Sequence, residues 1–499
     1  MTQDTAVDAP ARPAGLRGAV AAGGASVALL VLTAVLGPSA AVPPVGARTV
    51  TPPWNLDLHP SSALVTALLW VAAALGAAAV ALGLRAVAAG VRPDPRRVAA
   101  AALVVVGLLV VVPPLGSADH LSYAAYGRIA AEGGDPYAVP PSAWRGGTDP
   151  VVSGVRPPWQ DTPSVYGPVA TGAMTAAAWL AGPSLRLAVW LWQLVVGAAF
   201  LAVAYLLDRT ARGDPGTRAR AAALWTLNPL LLWQLVLGAH VDVLAAALAL
   251  AALVAGVRRP LLAGLLLGAA TGTKLPYALT AVGLLEGLRR VPRPVAVRAV
   301  LLGLVGALTV LVPAHLAAGP HVFDQLRTAS GFTSIASPWR ALVNLADLLA
   351  GGALRPVVTA IALVLGLALG VLVLRRLLLP ASAAGLTAPL VTVALGAGWV
   401  LTAPYALPWY VAIAWAPLAL VPATFLDRAL LAQLTVLTVA YVPGLVTGLS
   451  PGVETVTLGL RRYGAPVLLA AVVVAVVLRC VRAGRRDLAA VGPQRDREQ

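Results

Sequence analysis

Apolar runs of 17 or more residues recur from one end of this chain to the other, and that recurrence limits the fold more than any other feature. In hydrocarbon each unpaired backbone N–H or C=O costs several kcal/mol, so a crossing segment must satisfy its own backbone. Helices and closed barrels meet that demand, and the alternating ten-residue pattern of barrel strands is absent. The chain therefore reads as an all-α polytopic membrane protein, a helical bundle of about 12–15 hydrophobic segments. The composition agrees, with 59% of the 499 residues hydrophobic and 11% charged.

The net charge of +16 would suggest nucleic acid in a soluble chain. Here the arginines stand in short blocks between apolar runs, where they orient a membrane protein instead. Lys274 is the only lysine, and the single cysteine, Cys480, excludes an intramolecular disulfide and a cysteine metal cluster. Arg12 and Arg17 precede a first apolar run too long for a signal-peptide core, which reads as a retained span.

Counting arginines gives an order along the chain. Residues 1–18 read as a cytoplasmic tail, 19–97 as two amino-terminal spans, 98–425 as the membrane core that carries the long polar loops, 426–482 as carboxy-terminal spans and 483–499 as a cytoplasmic tail. Arg92, Arg96 and Arg97 precede the span at 98–115, which places Asp119 outside. Residues 116–163 form the longest polar loop, and loops of that length in a compact protein are usually functional. The runs 164–182 and 187–207 cannot both cross if Arg209, Arg212, Arg218 and Arg220 are cytoplasmic, so either the first lies partly in the interface, the favoured reading, or the positive-inside bias is broken locally. Residues 261–288 carry arginines at both ends and a polar break, Thr271-Gly-Thr-Lys-Leu-Pro276, as two half-helices would.

The polar residues that stand out gather on the side Asp119 faces. Asp119 and His120 sit where a helix leaves the bilayer, followed by Tyr123, Tyr126, Arg128 and the turn Gly134-Asp-Pro-Tyr137. A carboxylate at that depth can be tuned toward the pKa of a general base. His240 and Asp242 lie between two apolar runs, where ionisable groups are costly and so are functional suspects. Lys274 suits a phosphate as a point charge or snorkels to the nearest interface. His321, Arg327 and Arg340 share a loop with Trp339 and are candidates for a phosphate, although loop arginines are commonly just solvated. Tyr166 closes the first loop, and Trp409 and Tyr410 belong to an interfacial belt, a sugar platform or a lipid contact. A hard divalent ion wants several converging carboxylates, and the first loop has no Asp-x-Asp pair, so no metal is assigned.

Taken in order, Asp119, Tyr-x-x-Tyr-Gly-Arg, Gly-Gly-Asp-Pro-Tyr137, Val165-Tyr-Gly-Pro168, Asn228-Pro229, Gly-Ala-His240-Val-Asp242, Thr273-Lys274, Ser337-Pro-Trp339 and Pro408-Trp-Tyr410 resemble the GT-C glycosyltransferases. Within these the chain looks most like the actinobacterial polyprenol-phosphomannose-dependent α-1,6-mannosyltransferases of the lipomannan and lipoarabinomannan backbone. That resemblance covers roughly residues 98–425. It implies a polyprenyl-phosphate-mannose donor, a mannan glycolipid acceptor, and transfer at the outer face of the cell membrane. It also implies Asp119 as the base of an inverting attack, basic residues such as His240, Lys274, Arg327 and Arg340 at the leaving phosphate, and metal independence. A GT-C enzyme for another sugar, such as an arabinofuranosyltransferase, or another acceptor, such as a protein, and a flippase for lipid-linked sugars remain open. The flippase would place its ionisable groups near the bilayer midplane, and only 261–288 fits that.

Overall fold

A computed structural model describes residues 14–47, 49–378 and 387–491. Arg12, most of the amino-terminal tail and the last eight residues lie outside these residues. The regular structure of the described residues is helical, with no strand among them. The helices are α1 (Ala14–Leu36), α2 (Ser62–Ala88), α3 (Pro95–Leu109), α4 (Asp119–Ala131), α5 (Pro168–Ala181), α6 (Leu185–Thr210) and α7 (Pro215–Ala221). Then come α8 (Pro229–Leu231), α9 (Asp242–Ala255), α10 (Pro260–Thr273), α11 (Thr280–Gly287), α12 (Arg293–Ala318), α13 (His321–Ser330) and α14 (Arg340–Ala350). The last are α15 (Arg355–Leu378), α16 (Thr387–Thr402), α17 (Ala412–Leu418), α18 (Leu426–Tyr441), α19 (Pro451–Gly459) and α20 (Ala465–Val491).

The sequence punctuates these helices with ordinary signals. Asp94 accepts from the Arg96 amide and is followed by Pro95 at the start of α3, and Asp214 accepts from the Gly216 amide ahead of Pro215 in α7. Ser61 and Ser184 cap α2 and α6 in the same way. Asn228 accepts from the amides of Leu230 and Leu231, starting a new helix inside an apolar run.

Six helices are long and apolar enough to cross a membrane, or seven if one bent pair counts as a span. That is fewer than the number of apolar runs, because proline, glycine and polar breaks divide the others into shorter pieces such as α10 and α16. The bent pair, Pro215–Leu237 with Asp242–Arg258, turns through 116°, and His240 sits at its corner. Residues 261–288 do form two halves, α10 and α11, joined by a short 3-10 turn just after Lys274. Helix α5 has fourteen residues and so rises only about 21 Å. The hydrocarbon core is about 30 Å thick, so α5 alone is short for a full crossing, as are α9 and α10 of the same length.

Four tryptophans, Trp192, Trp225, Trp233 and Trp415, are fully buried in the centre of the bundle. By contrast α12 turns Leu301, Leu304, Val305 and Leu308 outward, an apolar surface fit for lipid. One arginine of the 209–220 block is not a solvated topology marker. Arg220 is buried and pairs with Asp427 at 2.5 Å while donating to the Leu418 and Val421 carbonyls at 2.6 and 2.8 Å, tying α7 to α18. Buried charge is tolerated there because both partners are satisfied.

Candidate active site

Helix α4 lies outside the spans and starts at Asp119, whose own amide donates to Ser117 Oγ at 2.9 Å. It packs so closely on α5 that a Cβ on Gly127 would stand 2.3 Å from the Met174 carbonyl oxygen, so only glycine fits. The long loop after α4 is held by its own ions. Arg128 bonds Glu132 at 2.5 Å and Asp149 at 3.2 Å, and Arg145 reaches Glu132 at 2.9 Å. Burial pushes the Asp149 carboxyl up, but the Val151 and Val152 amides and Arg128 together hold it below its ordinary value. Tyr126 donates to the Thr162 carbonyl at 2.9 Å and Tyr137 to Thr171 Oγ1 at 2.8 Å. Arg128, Tyr126 and Tyr137 thus build the loop that surrounds the site.

Asp119 opens onto a cavity of about 400 Å³. Its walls include Trp159, Phe332, Tyr405, Trp409 and Tyr441, with Arg340, Arg355 and Arg461 from three further segments. The Asp119 side chain is 15% exposed, and burial raises its carboxyl to about 6 against the counter-pull of Ser117, Lys274 and Tyr123. The Tyr123 hydroxyl lies 3.5 Å from Asp119 Oδ2, and Tyr166 lies 3.5 Å from Tyr123 in turn.

His240 comes within 3.8 Å of Asp119 Oδ2 through Nε2. Its Nδ1 lies 2.5 Å from the Gln234 carbonyl, which can only accept, so Nδ1 carries the proton of the neutral ring. Nε2 is then left as an acceptor facing a carboxylate, with no other partner among the described residues. The ring is fixed by stacking on Trp409 at 3.5 Å between centroids.

Asp242, at the start of α9, receives Lys274 Nζ at 2.6 Å, and the ammonium also sits 3.3 Å above the Tyr410 ring. Asp119, the near neighbours His240 and Asp242, and Lys274, three points far apart in sequence, therefore form one cluster, backed by Tyr123, Tyr166, Trp409 and Tyr410. Among the described residues no three His, Cys, Asp or Glu side chains converge as a metal set.

Other candidates fall elsewhere. His120 is fully buried under α4, where burial pushes its imidazole down to about 3, so it is a neutral core ring. His321, the first residue of α13, pairs with Asp135 of the first loop at 2.8 Å. Arg327 is 84% exposed and lies 3.8 Å from Asp324, away from the cavity. Trp339 donates to the Thr402 carbonyl at 2.6 Å, next to the cavity-facing Arg340.

The sequence reading passed over Arg355 and Arg461. Arg461 had one usable signal: by alternation of spans it stands on the same side as Asp119.

Residues 20–287 match the profile of the MptA_B family, described as alpha-(1->6)-mannopyranosyltransferase, N-terminal domain. The chain belongs to the MptA_B family. The match takes in α1 and α2 and runs to the end of α11, so it carries the Asp119, His240, Asp242 and Lys274 cluster. An alpha-(1->6)-mannopyranosyltransferase of Mycobacterium tuberculosis is 32% identical over 136 residues, 27% of this chain and 23% of that protein. A probable alpha-(1->6)-mannopyranosyltransferase of Mycolicibacterium smegmatis is 34% identical over 29% of this chain and 26% of its own length. Alpha-(1->6)-mannopyranosyltransferase B of Corynebacterium glutamicum is 28% identical over 26% of this chain and 22% of its own length. The matched segments thus span about a quarter of the length of these MptA_B relatives. No solved structure matches the chain.

Proposed function

We propose that this chain is an integral-membrane mannosyltransferase that moves mannose from a polyprenyl-phosphate donor to an α-1,6-mannan glycolipid at the outer face of the cell membrane. The observation that carries the reading is Asp119: a carboxyl raised to about 6 on the wall of a cavity that arginines also line, in a chain of the MptA_B family. Such a group is ionised at neutral pH yet basic enough to take a proton as a C–O bond forms.

In the proposed step the acceptor hydroxyl oxygen attacks the anomeric carbon and the bond from that carbon to the phosphate oxygen breaks. The hydroxyl proton goes to Asp119, and the electron pair leaves with the lipid phosphate. Attack from the face opposite the phosphate turns a β-linked donor into an α-linked product. His240 Nε2, an acceptor 3.8 Å from Asp119, is placed to share the proton after transfer. Arginine N–H groups lining the cavity stabilise the charge that develops on the phosphate. Lys274, by contrast, is neutralised by Asp242 and acts by holding the corner of the bent pair. Charge stabilisation is assigned to protein cations, and the reaction is proposed to need no metal.

The test incubates membranes containing the protein with radiolabelled polyprenyl-phosphomannose and a short α-1,6-mannoside, with and without chelator. The expected result is elongation that chelator leaves in place and that Asp119→Asn and Asp119→Ala lose at normal expression. Elongation by Asp119→Ala at the wild-type rate would remove the proposed base, loss on chelation would overturn metal independence, and donor transport without elongation would make the protein a flippase.

A further inference from the structure

A lipid-linked donor needs two compartments, one polar for its sugar phosphate and one apolar for its chain. Beside the Asp119 cavity lies a second cavity of about 390 Å³ between α15, α16 and α20. Its walls are Leu365, Ala368, Leu369 and Leu372 of α15 against Ala470, Val473, Val474 and Val477 of α20, with Leu401 of α16. Trp339 and Pro338 form its roof, and the next residue, Arg340, lines the polar cavity instead. The same division repeats on each wall. Arg355 heads α15 and Arg461 stands in the wide π-turn leading into α20, so both helices are cationic at the polar cavity and apolar below it. The apolar stretch spans eight residues of each helix, about 10 Å along the axis.

The arginines are not equivalent. Arg355 is taken up by Asp347 in two bonds of 2.7 and 2.6 Å. Arg461 is buried over Tyr441 and, among the described residues, makes one hydrogen bond, from Nε to the Ala440 carbonyl at 2.8 Å. Its two terminal nitrogens remain for an anion. Arg340 donates from Nη1 to the Thr333 carbonyl at 3.3 Å and keeps its other nitrogens. A fork of N–H donors is suited to phosphate oxygens.

We propose that the cleft between α15 and α20 seats the isoprenoid chain of the donor, with Arg461 and Arg340 holding its phosphate above Trp339. This deepens the transfer reading and rests on it, because it names where that substrate lies. It also assigns binding to the part of the chain that follows the MptA_B match, which ends at residue 287. The occupant is a chain bearing an anionic head because cationic groups top the slot and both walls continue into the Asp119 cavity.

Two measurements on the full-length protein in detergent test this. A photoreactive isoprenyl phosphate is expected to label peptides containing residues 365–372 and 470–477, with Arg461→Gln reducing labelling about tenfold or more. Labelling confined to other segments, or labelling that excess phosphatidylglycerol abolishes, would overturn the slot and make it a site for bulk lipid. In transfer assays, Ala470→Trp is expected to lower the preference for a long-chain over a short-chain polyprenyl-phosphomannose about tenfold, and an unchanged preference would count against the slot. If the wild type transfers from neither donor, the reaction is wrong, and the labelling still decides the slot because it needs no turnover.

Discussion

Asp119 carries an electrostatic cost that its position imposes. An aspartate raised from 3.8 to about 6 is stabilised as the neutral acid, so its ionised form at neutral pH costs the fold up to roughly 3 kcal/mol. The sign follows directly. Below pH 3.8 the carboxyl is protonated folded and unfolded and imposes no cost; the cost appears as pH rises and is complete above about 6. Asp119→Asn is therefore expected to raise the melting temperature at pH 7.5, to leave it unchanged near pH 3.5, and to lose transfer at both. Thermal unfolding in detergent across that range checks it. For the wild type, kcat/KM should fall about tenfold per pH unit below about 6, as a base that must be unprotonated demands. A flat profile between pH 5 and 7 would remove Asp119 from the proton transfer.

Single residues were legible where chemistry and hydropathy collide. Asp119, His240, Asp242 and Lys274 each interrupt or end an apolar run, and the structure gathers all of them. Their pairing was not legible, since the Lys274 to Asp242 contact joins α9 to the end of α10 and depends on how the helices pack. His120 shows the converse. It adjoins Asp119 in sequence, but successive residues on a helix point about 100° apart, and that turn carries it into the core.

At the scale of elements, the site depends on α4 lying flat against α5. Gly127→Ala would press a methyl group into the Met174 carbonyl, and backbone cannot yield there as a side chain can. The expected outcome is a sharp loss of monodisperse protein on size exclusion, with Gly172→Ala, which meets nothing within 4 Å, as a control that behaves as wild type. The loop that follows depends on Arg128, which supplies the nearer cation to Asp149, with Arg145 at 2.9 Å from Glu132 and 3.8 Å from Asp149 as its remaining support. Asp149 is nearly inaccessible, so losing that nearer cation weakens the loop by up to about 3–5 kcal/mol. Arg128→Ala should thus open residues 132–163 to limited proteolysis in the folded protein. Element type was easy to read here and element length was not. Apolar runs announce helices, while Asn228, Lys274 and several prolines cut those runs where only cap geometry reveals the ends. Arg340 and Arg327 looked alike in sequence, and the difference between a cavity wall and open solvent came from the orientation of α13 and α14.

Across the whole molecule, arginines carry out two tasks that counting alone confounds. Most stand in short blocks between the apolar helices, as orienting charges do, but Arg220 is a buried tie and Arg461 a cavity wall. Arg220→Ala should lower stability by about 3–5 kcal/mol, seen as a fall in melting temperature, and Asp427→Ala by a similar amount. The double variant should recover part of the loss, since neither charge is left unpaired.

That tie has a practical corollary for anyone building hybrids from relatives. Residue 220 falls in the segment the family profile recognises and residue 427 well beyond it, so the two halves are keyed to each other across more than two hundred positions. A graft that imports a foreign carboxy-terminal half without an acid opposite Arg220 would inherit a stranded cation under the bundle, and should assemble poorly before its choice of sugar could even be asked.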